Sequence, residues 1–291
     1  MTCPACGAAA VRAVYRDRWP TGFEKRIHRC GACGLAFVAP MPTAAALAAL
    51  YDDRRYFARE APGEIGYAHY DPPLRWFCDL LDQLERLGAR GSLLDVGPAT
   101  GAFLRLAQQR GFQVSGIEPS EWAAQQARAA GLNVRAGLFE DLAPAEAPAC
   151  FDVVAMSHVI EHFRAPDAVL AECARLLRPG GVLVIWTINY AAPMWRDPKR
   201  TYGSEGREHL FYFTPESLRR MVARAGLVVR RCFTQPCPTP RGWAAAERFQ
   251  GRVPAAGKLA GRWFTWIYQG ILRSAFRPLR WSDLILLASK R

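Results

Sequence analysis

Three sets of residues in this 291-residue chain have the types and spacing to do chemistry. The first is Cys3-Pro-Ala-Cys6-Gly and Cys30-Gly-Ala-Cys33-Gly, two CxxCG knuckles separated by 23 residues. Each places two thiolates on one tight turn, where Gly7 and Gly34 let backbone N–H groups approach sulfur, and two such turns complete a tetrahedral ligand set. The spacing predicts Zn2+ bound by Cys3, Cys6, Cys30 and Cys33. Four protein ligands leave no open position, so the metal's expected role is structural. Four buried free thiols would leave the paired spacing and the following glycines without a cause. A redox pair would be expected to open a helix after a strand, and neither knuckle does.

The second set is Ser157-His158-Val159-Ile160-Glu161-His162. His158 and His162 stand four apart and are expected to share a helix face. Glu161 and His162 could equally be cap and packing residues of a turn. The third is Arg207-Glu208-His209-Leu210-Phe211-Tyr212-Phe213-Thr214-Pro215. Thr214 reads as a helix N-cap with Pro215 at the first helical position, which would put His209 on a positioned loop. A carboxylate beside an imidazole raises its basicity, so Glu208 and His209 could form a general base near neutral pH. The competing reading is that Phe211 and Phe213 only anchor the loop.

These residues need a scaffold, and from residue 91 the chain supplies one. Short apolar runs alternate with helical segments: strands at 92–96, 113–118, 133–136, 151–156, 182–187, 227–233 and 283–289, with helices at 101–110, 120–130, 165–177 and 215–225. That alternation calls for a doubly wound α/β fold with a mostly parallel sheet. The first strand-to-helix turn, Asp95-Val-Gly97-Pro-Ala99-Thr-Gly101, has the glycines that let a backbone approach a ligand at the sheet's carboxyl edge. Glu118, 23 residues after Asp95 at the end of the second strand, can accept both hydroxyls of a ribose. The domain plan is a zinc module at 1–40, a helical lead-in at 41–90, the α/β core at 91–237 with 282–291, and an insertion at 238–281.

The net charge of +12 is unevenly spread. Residues 219–291 hold 13 Arg and 2 Lys against Glu247 and Asp283, so the rest of the chain is close to neutral and an anionic partner should meet the C-terminal quarter. On a helical wheel, Lys258, Arg262, Thr265, Gln269, Arg273 and Arg277 share one face, and Trp263, Phe264, Ile267, Tyr268 and Ile271 fall opposite. A basic face backed by an aromatic one fits a helix lying on an anionic membrane surface. The alternatives are packing on the sheet or a homodimer contact. Nucleic acid is disfavoured, because the aromatics segregate from the arginines instead of interleaving with them. The chain shows no secretory signal and no apolar run of membrane-spanning length, so a cytoplasmic protein, with a peripheral membrane contact through 258–277, is expected. The cysteines then read as thiols and metal ligands.

The strings DVGPATGAF, GIEPS, FDVVAMSHVIEHF and RLLRPGGVLVI resemble, in order and spacing, the successive motifs of class I S-adenosylmethionine-dependent methyltransferases. The resemblance covers roughly residues 70–235 and implies a seven-stranded Rossmann-like sheet. It also implies that Asp95, Gly97, Ala99 and Gly101 line the methionine side of the cofactor and that Glu118 and Pro119 border the ribose. Phe139, Glu140 and Asp141 would border the adenine, and Ser157 and His158 the amino-acid moiety. Ala99 stands where the usual GxGxG has its middle glycine. The GREHLFYF stretch resembles the EHLxYF segment of zinc-containing sugar C-methyltransferases, in which a Glu-His pair is the base. The Glu161-His162 pair resembles the metal-binding turn of magnesium-dependent quinone O-methyltransferases, but those carry a further carboxylate where this chain has His158. The expected acceptor is a small molecule or glycan, such as a sugar derivative or a lipid-linked intermediate. A nicotinamide dehydrogenase would want GxGxxG, which Gly97-Pro98-Ala99 does not provide. The other readings are a zinc-ribbon binding protein on a degenerate methyltransferase core, and a methyltransferase of RNA or protein.

Overall fold

A computed structural model describes residues 1–19, 22–48, 74–204, 208–235 and 283–291. The 258–277 helix and most of the basic insertion fall outside these residues.

The N-terminal segment forms three antiparallel strands, β1 (Val11–Arg18), β2 (Glu24–Cys30) and β3 (Ala36–Val38), with the cysteine knuckles at their ends. The stretch between the knuckles therefore forms an antiparallel hairpin. A short helix, α1 (Ala44–Ala48), follows. α2 (Leu74–Arg86) buries Phe77, Leu80, Leu81 and Leu84, the spacing of one helical stripe, and sets Phe77 against Phe103 and Trp186 of the core.

The core alternates β4 (Ser92–Val96), α3 (Ala102–Gln109), β5 (Gln113–Glu118), α4 (Glu121–Ala129), β6 (Val134–Ala136), α5 (Phe139–Leu142), β7 (Phe151–Ser157), α6 (Pro166–Leu176) and β8 (Leu177–Ile188). After β8 come the two-residue β9 (Phe211–Tyr212), α7 (Pro215–Arg224), β10 (Val228–Gln235) and β11 (Asp283–Ser289). The seven-stranded sheet runs β10-β11-β8-β7-β4-β5-β6, and only β11 is antiparallel to its neighbours. Leu93, Leu94, Val153, Val154, Leu183 and Val184 are all buried, the near-continuous apolar runs of strands covered on both faces. β8 begins five residues before the expected strand, because Gly180 and Gly181 extend the ladder to Lys290.

The helix starts follow their local chemistry. The Ser120 hydroxyl accepts from Ala123 N at the start of α4, and Thr214 with Ser217 forms a capping box at the start of α7 with Pro215 behind it.

β9 does not join the large sheet. It pairs with β3, Ala36 opposite Tyr212 and Phe37 opposite Phe211, and completes a second, four-stranded sheet ordered β1-β2-β3-β9. One apolar cluster accordingly runs without a break from Cys3, Trp19, Ile27 and Leu35 through Phe211 and Phe213 to Leu183 and Leu286. The module and the core share their interior.

Candidate active site

Parallel strands β4, β5 and β7 end side by side, and their carboxyl ends build one edge. At the end of β4, Gly97 and Gly101 take φ of +72° and +84°, and a Cβ on either would meet Val159 or Leu132 at under 3 Å. Glycine is required at both for conformation and for space. Ala99 between them also sits at positive φ, +50°, a left-handed conformation that costs a non-glycine residue about 1 kcal/mol.

Glu118, at the end of β5, is buried and bonds this loop directly. One carboxylate oxygen accepts from Ala99 N at 2.9 Å and the other from Ser120 N at 3.0 Å. Asp95 lies beneath the loop, and burial, reinforced by the nearby Glu118 charge, pushes its carboxyl well above the usual range. Phe139 is buried against Phe163, while Pro119, Glu140 and Asp141 are exposed at the rim. Gly137, with φ of +142°, turns the chain between β6 and this helix.

The turn after β7 departs from the helical expectation. Ser157 ends the strand and His158 takes φ of +54°, so His158 and His162 do not share a helix face; only Ile160–His162 forms one turn of 3-10 helix. The two imidazoles consequently go different ways. His158 is half-buried beside Trp186, with its Nδ1 3.7 Å from Glu161 Oε1. Burial works against its charged form, but Glu161 and Asp283 outweigh that and raise the pKa above its ordinary value. Glu161 is fully buried and accepts from the Thr187 hydroxyl at 2.9 Å. Burial alone would raise the Glu161 pKa, yet the histidines around it hold the carboxyl below its ordinary range.

His162 faces the other way and meets His209, their rings 4.7 Å apart edge to face. His209 is not on an open loop. It is buried, with the Tyr190 hydroxyl on Nδ1 and the Tyr212 hydroxyl donating to its carbonyl at 3.0 Å. Its basicity is lowered, not raised as expected from the adjacent Glu208, because burial and the facing His162 disfavour the imidazolium and leave the pKa at about 3. Glu208 acts on His162 instead: its backbone carbonyl and its charge both favour the protonated form of that ring, although burial wins and lowers the pKa. Ligand atoms of Glu161, His162 and His209 all lie within 4.8 Å of one another, and Glu161 Oε1 is a buried oxygen without a hydrogen bond. The meeting of His209 with Glu161 and His162 has no signal in the sequence, because β8 and the long segment after it intervene.

The four cysteines converge as their spacing predicts. Cys3 Sγ lies 3.6 Å from Cys33 Sγ, Cys6 Sγ lies 3.6 Å from Cys30 Sγ, and all four fall within 4.8 Å of one another. A tetrahedral zinc–thiolate centre with Zn–S of about 2.3 Å needs sulfurs roughly 3.8 Å apart, so the donor set fits.

Comparison with known proteins decides between the enzymes that use this sheet. A methyltransferase-domain family model matches residues 67–231. The chain belongs to the S-adenosylmethionine-dependent methyltransferases. Among its relatives is the ubiquinone biosynthesis O-methyltransferase of Hahella chejuensis, 33% identical over 172 residues, or 57% of this chain and 68% of the relative. The enzyme of the same name from Alkalilimnicola ehrlichii is 31% identical over 189 residues, covering 58% of this chain and 72% of that one. Solved structures with a similar fold include a geranyl diphosphate methyltransferase in complex with GPP and sinefungin (TM-score 0.53, 19% identity, 75% of this chain and 78% of that one). The [4+2]-cyclase SpnF is another (TM-score 0.55, 20% identity, 86% and 98%). A cyclase on the same methyltransferase-like sheet shows that fold alone does not assign a reaction. The cysteine module, at residues 3–38, lies ahead of the family match.

Proposed function

We propose that this methyltransferase transfers a methyl group to a hydroxyl of a small-molecule or glycan acceptor, with His158 taking the proton. The observation that carries this reading is the pairing of His158 with the buried Glu161 at the cofactor edge: a partly open imidazole, raised in basicity by a carboxylate behind it. The acceptor oxygen attacks the sulfonium methyl in line, its proton passes to His158, and S-adenosylhomocysteine leaves. The protein's task is to hold donor and acceptor together and to accept that proton. The O-methyltransferase relatives support an oxygen acceptor. The likeness of the Glu208-His209 stretch and the cysteine knuckles to zinc-containing sugar methyltransferases supports a sugar derivative within that class. The knuckles are assigned to structural Zn2+, one ion per chain, on the fit of the four sulfurs.

The test incubates the enzyme with isotopically methyl-labelled cofactor and hydroxylated sugars, phenols and lipid-linked glycans, and follows label by mass spectrometry. With a labelled acceptor in hand, His158→Ala should lower turnover about a hundredfold and leave cofactor affinity within twofold, the size expected for a general base. A variant that keeps parental turnover, while His209→Ala abolishes it, moves the base to His209.

Glu161 Oε1, which has the His158 contact at 3.7 Å but no hydrogen bond, favours one second reading, a divalent cation on Glu161, His162 and His209 that would lower the acceptor hydroxyl's pKa. Two metal equivalents per chain, falling to one in His162→Ala, would support it. One equivalent in both proteins would leave the proton to His158.

A further inference from the structure

The segment Glu208–Thr214 touches the cysteine module at more points than a loop beside a separate domain requires. Val38 N of β3 donates to Leu210 O at 2.9 Å, and Leu210 N donates to Glu161 O at 2.9 Å, so two consecutive backbone hydrogen bonds lead from the module to the turn that bears Glu161. Four residues further on, the Thr214 hydroxyl, which caps α7, also donates to Cys33 O at 2.8 Å. The methyl group of Thr214 packs against Gly34, where a Cβ would lie 3.1 Å from it. From β2, the fully buried Lys25 donates to Tyr202 O at 3.0 Å and lies 5.4 Å from the ring of Tyr212, the residue whose hydroxyl holds the His209 carbonyl. Charge adds to these contacts. The Arg224 guanidinium of α7 lies beside Gly7 in the first knuckle. A zinc ion on four thiolates carries a net charge of about −2, and Arg224 of α7 stands on its side.

We infer that the four-cysteine module is a clamp for the acceptor side of the active site: when its metal is bound, it holds residues 208–214, and with them His209, against Glu161. The cofactor half does not depend on it. Gly97, Ala99, Gly101 and Glu118 are fixed by β4, β5 and the helices that follow them, which belong to the other sheet. The metal therefore controls one wall of the site without touching the other. The inference rests on the assignment of zinc to the cysteines, and its test separates the two.

The experiment is hydrogen exchange read by mass spectrometry on the full chain, in three states: as purified with zinc, after chelation, and after zinc is restored. Binding of S-adenosylhomocysteine is measured by calorimetry in each state. Chelation should speed exchange in peptides covering 208–214 and 36–38 by about tenfold or more, the effect of losing one to two net hydrogen bonds. Restored zinc should reverse it. Peptides covering 92–118 should not change, and affinity for S-adenosylhomocysteine should stay within about twofold. If 208–214 keeps its protection while 24–38 loses it, the clamp is wrong. If 92–118 loosens as well and cofactor binding disappears, the metal supports the whole fold and the proposed selectivity fails.

A second arm needs no change of metal. Thr214→Val removes the bond to Cys33 in the loaded protein and should speed exchange at 208–212 about threefold or more with metal content unchanged, whereas Thr214→Ser should behave as the parent. Equal exchange in Thr214→Val and the parent overturns the clamp. Metal analysis showing no zinc in the purified protein overturns the zinc assignment, and the Thr214 pair then decides the clamp by itself.

Discussion

At the scale of single residues, the cofactor edge is held by one carboxylate with two duties. Glu118 closes the glycine loop through Ala99 N and Ser120 N, and by resemblance it also holds the ribose. Replacing it with Ala should weaken S-adenosylmethionine binding by about 1.5–3 kcal/mol, the loss expected for hydrogen bonds to a charged acceptor, and calorimetry that finds the same dissociation constant would refute the ribose assignment. Ala99 makes the complementary case. Its φ of +50° suits glycine better, so Ala99→Gly should relieve about 1 kcal/mol of strain and raise the melting temperature by a few degrees, with cofactor affinity kept. A lower melting temperature in that variant would mean that the methyl group packs more than it strains. This loop was legible in the sequence because its hydrogen bonds are made within two consecutive strand–helix units. The setting of His158 was not. Its left-handed backbone breaks the helical spacing to His162, and the carboxylate behind it is buried by β8 and its Thr187, both distant in the chain.

Elements explain what the sequence could and could not show. Strands β4, β5, β7, β8 and β11 carry their apolar runs openly, and Thr214-Pro215 announced the start of α7. β9 is two residues long, too short to carry a period, and its partner β3 lies some 170 residues earlier, so the second sheet had no local signal. His209, just ahead of β9, is buried among His162, Tyr190 and Tyr212. The consequence can be read in acid. Folded, His209 resists its proton down to about pH 3, whereas the unfolded chain takes it up near 6.5. The unfolded state therefore binds the extra proton between those values, and the His209 contribution to stability, complete above 6.5, is lost progressively as the pH falls toward 3. Denaturant melts at pH 7.5 and pH 5 should show this loss in the parent and a smaller one in His209→Gln. Equal losses in the two proteins would place the acid sensitivity elsewhere.

The whole molecule is charged at one end. Arg219, Arg220, Arg224, Arg230, Arg231 and Arg291 are exposed on α7, β10 and the C-terminus, and no helix among the described residues is long and apolar enough to cross a membrane. If the basic quarter meets anionic lipid, as proposed for residues 258–277, the protein should sediment with phosphatidylserine vesicles at low salt and be released by salt, since screening shortens the reach of the charges. Protein that stays in the supernatant at low salt removes the support for a lipid-linked acceptor. The end of the chain also bears on how the molecule assembles. β11 is an interior strand, flanked by β10 and β8, and Gln235 pairs with Asp283 across the ladder. In the sequence, 47 residues separate these two pairing partners. Closing a loop of that length costs about 2 kcal/mol more than closing a four-residue turn, and the cost falls before the contacts of β11 begin to repay it. The sheet is thus completed by the last of its seven strands in chain order: until residues 283–289 arrive, one side of β8 stands unpaired and β10 has no strand to join it to the other five.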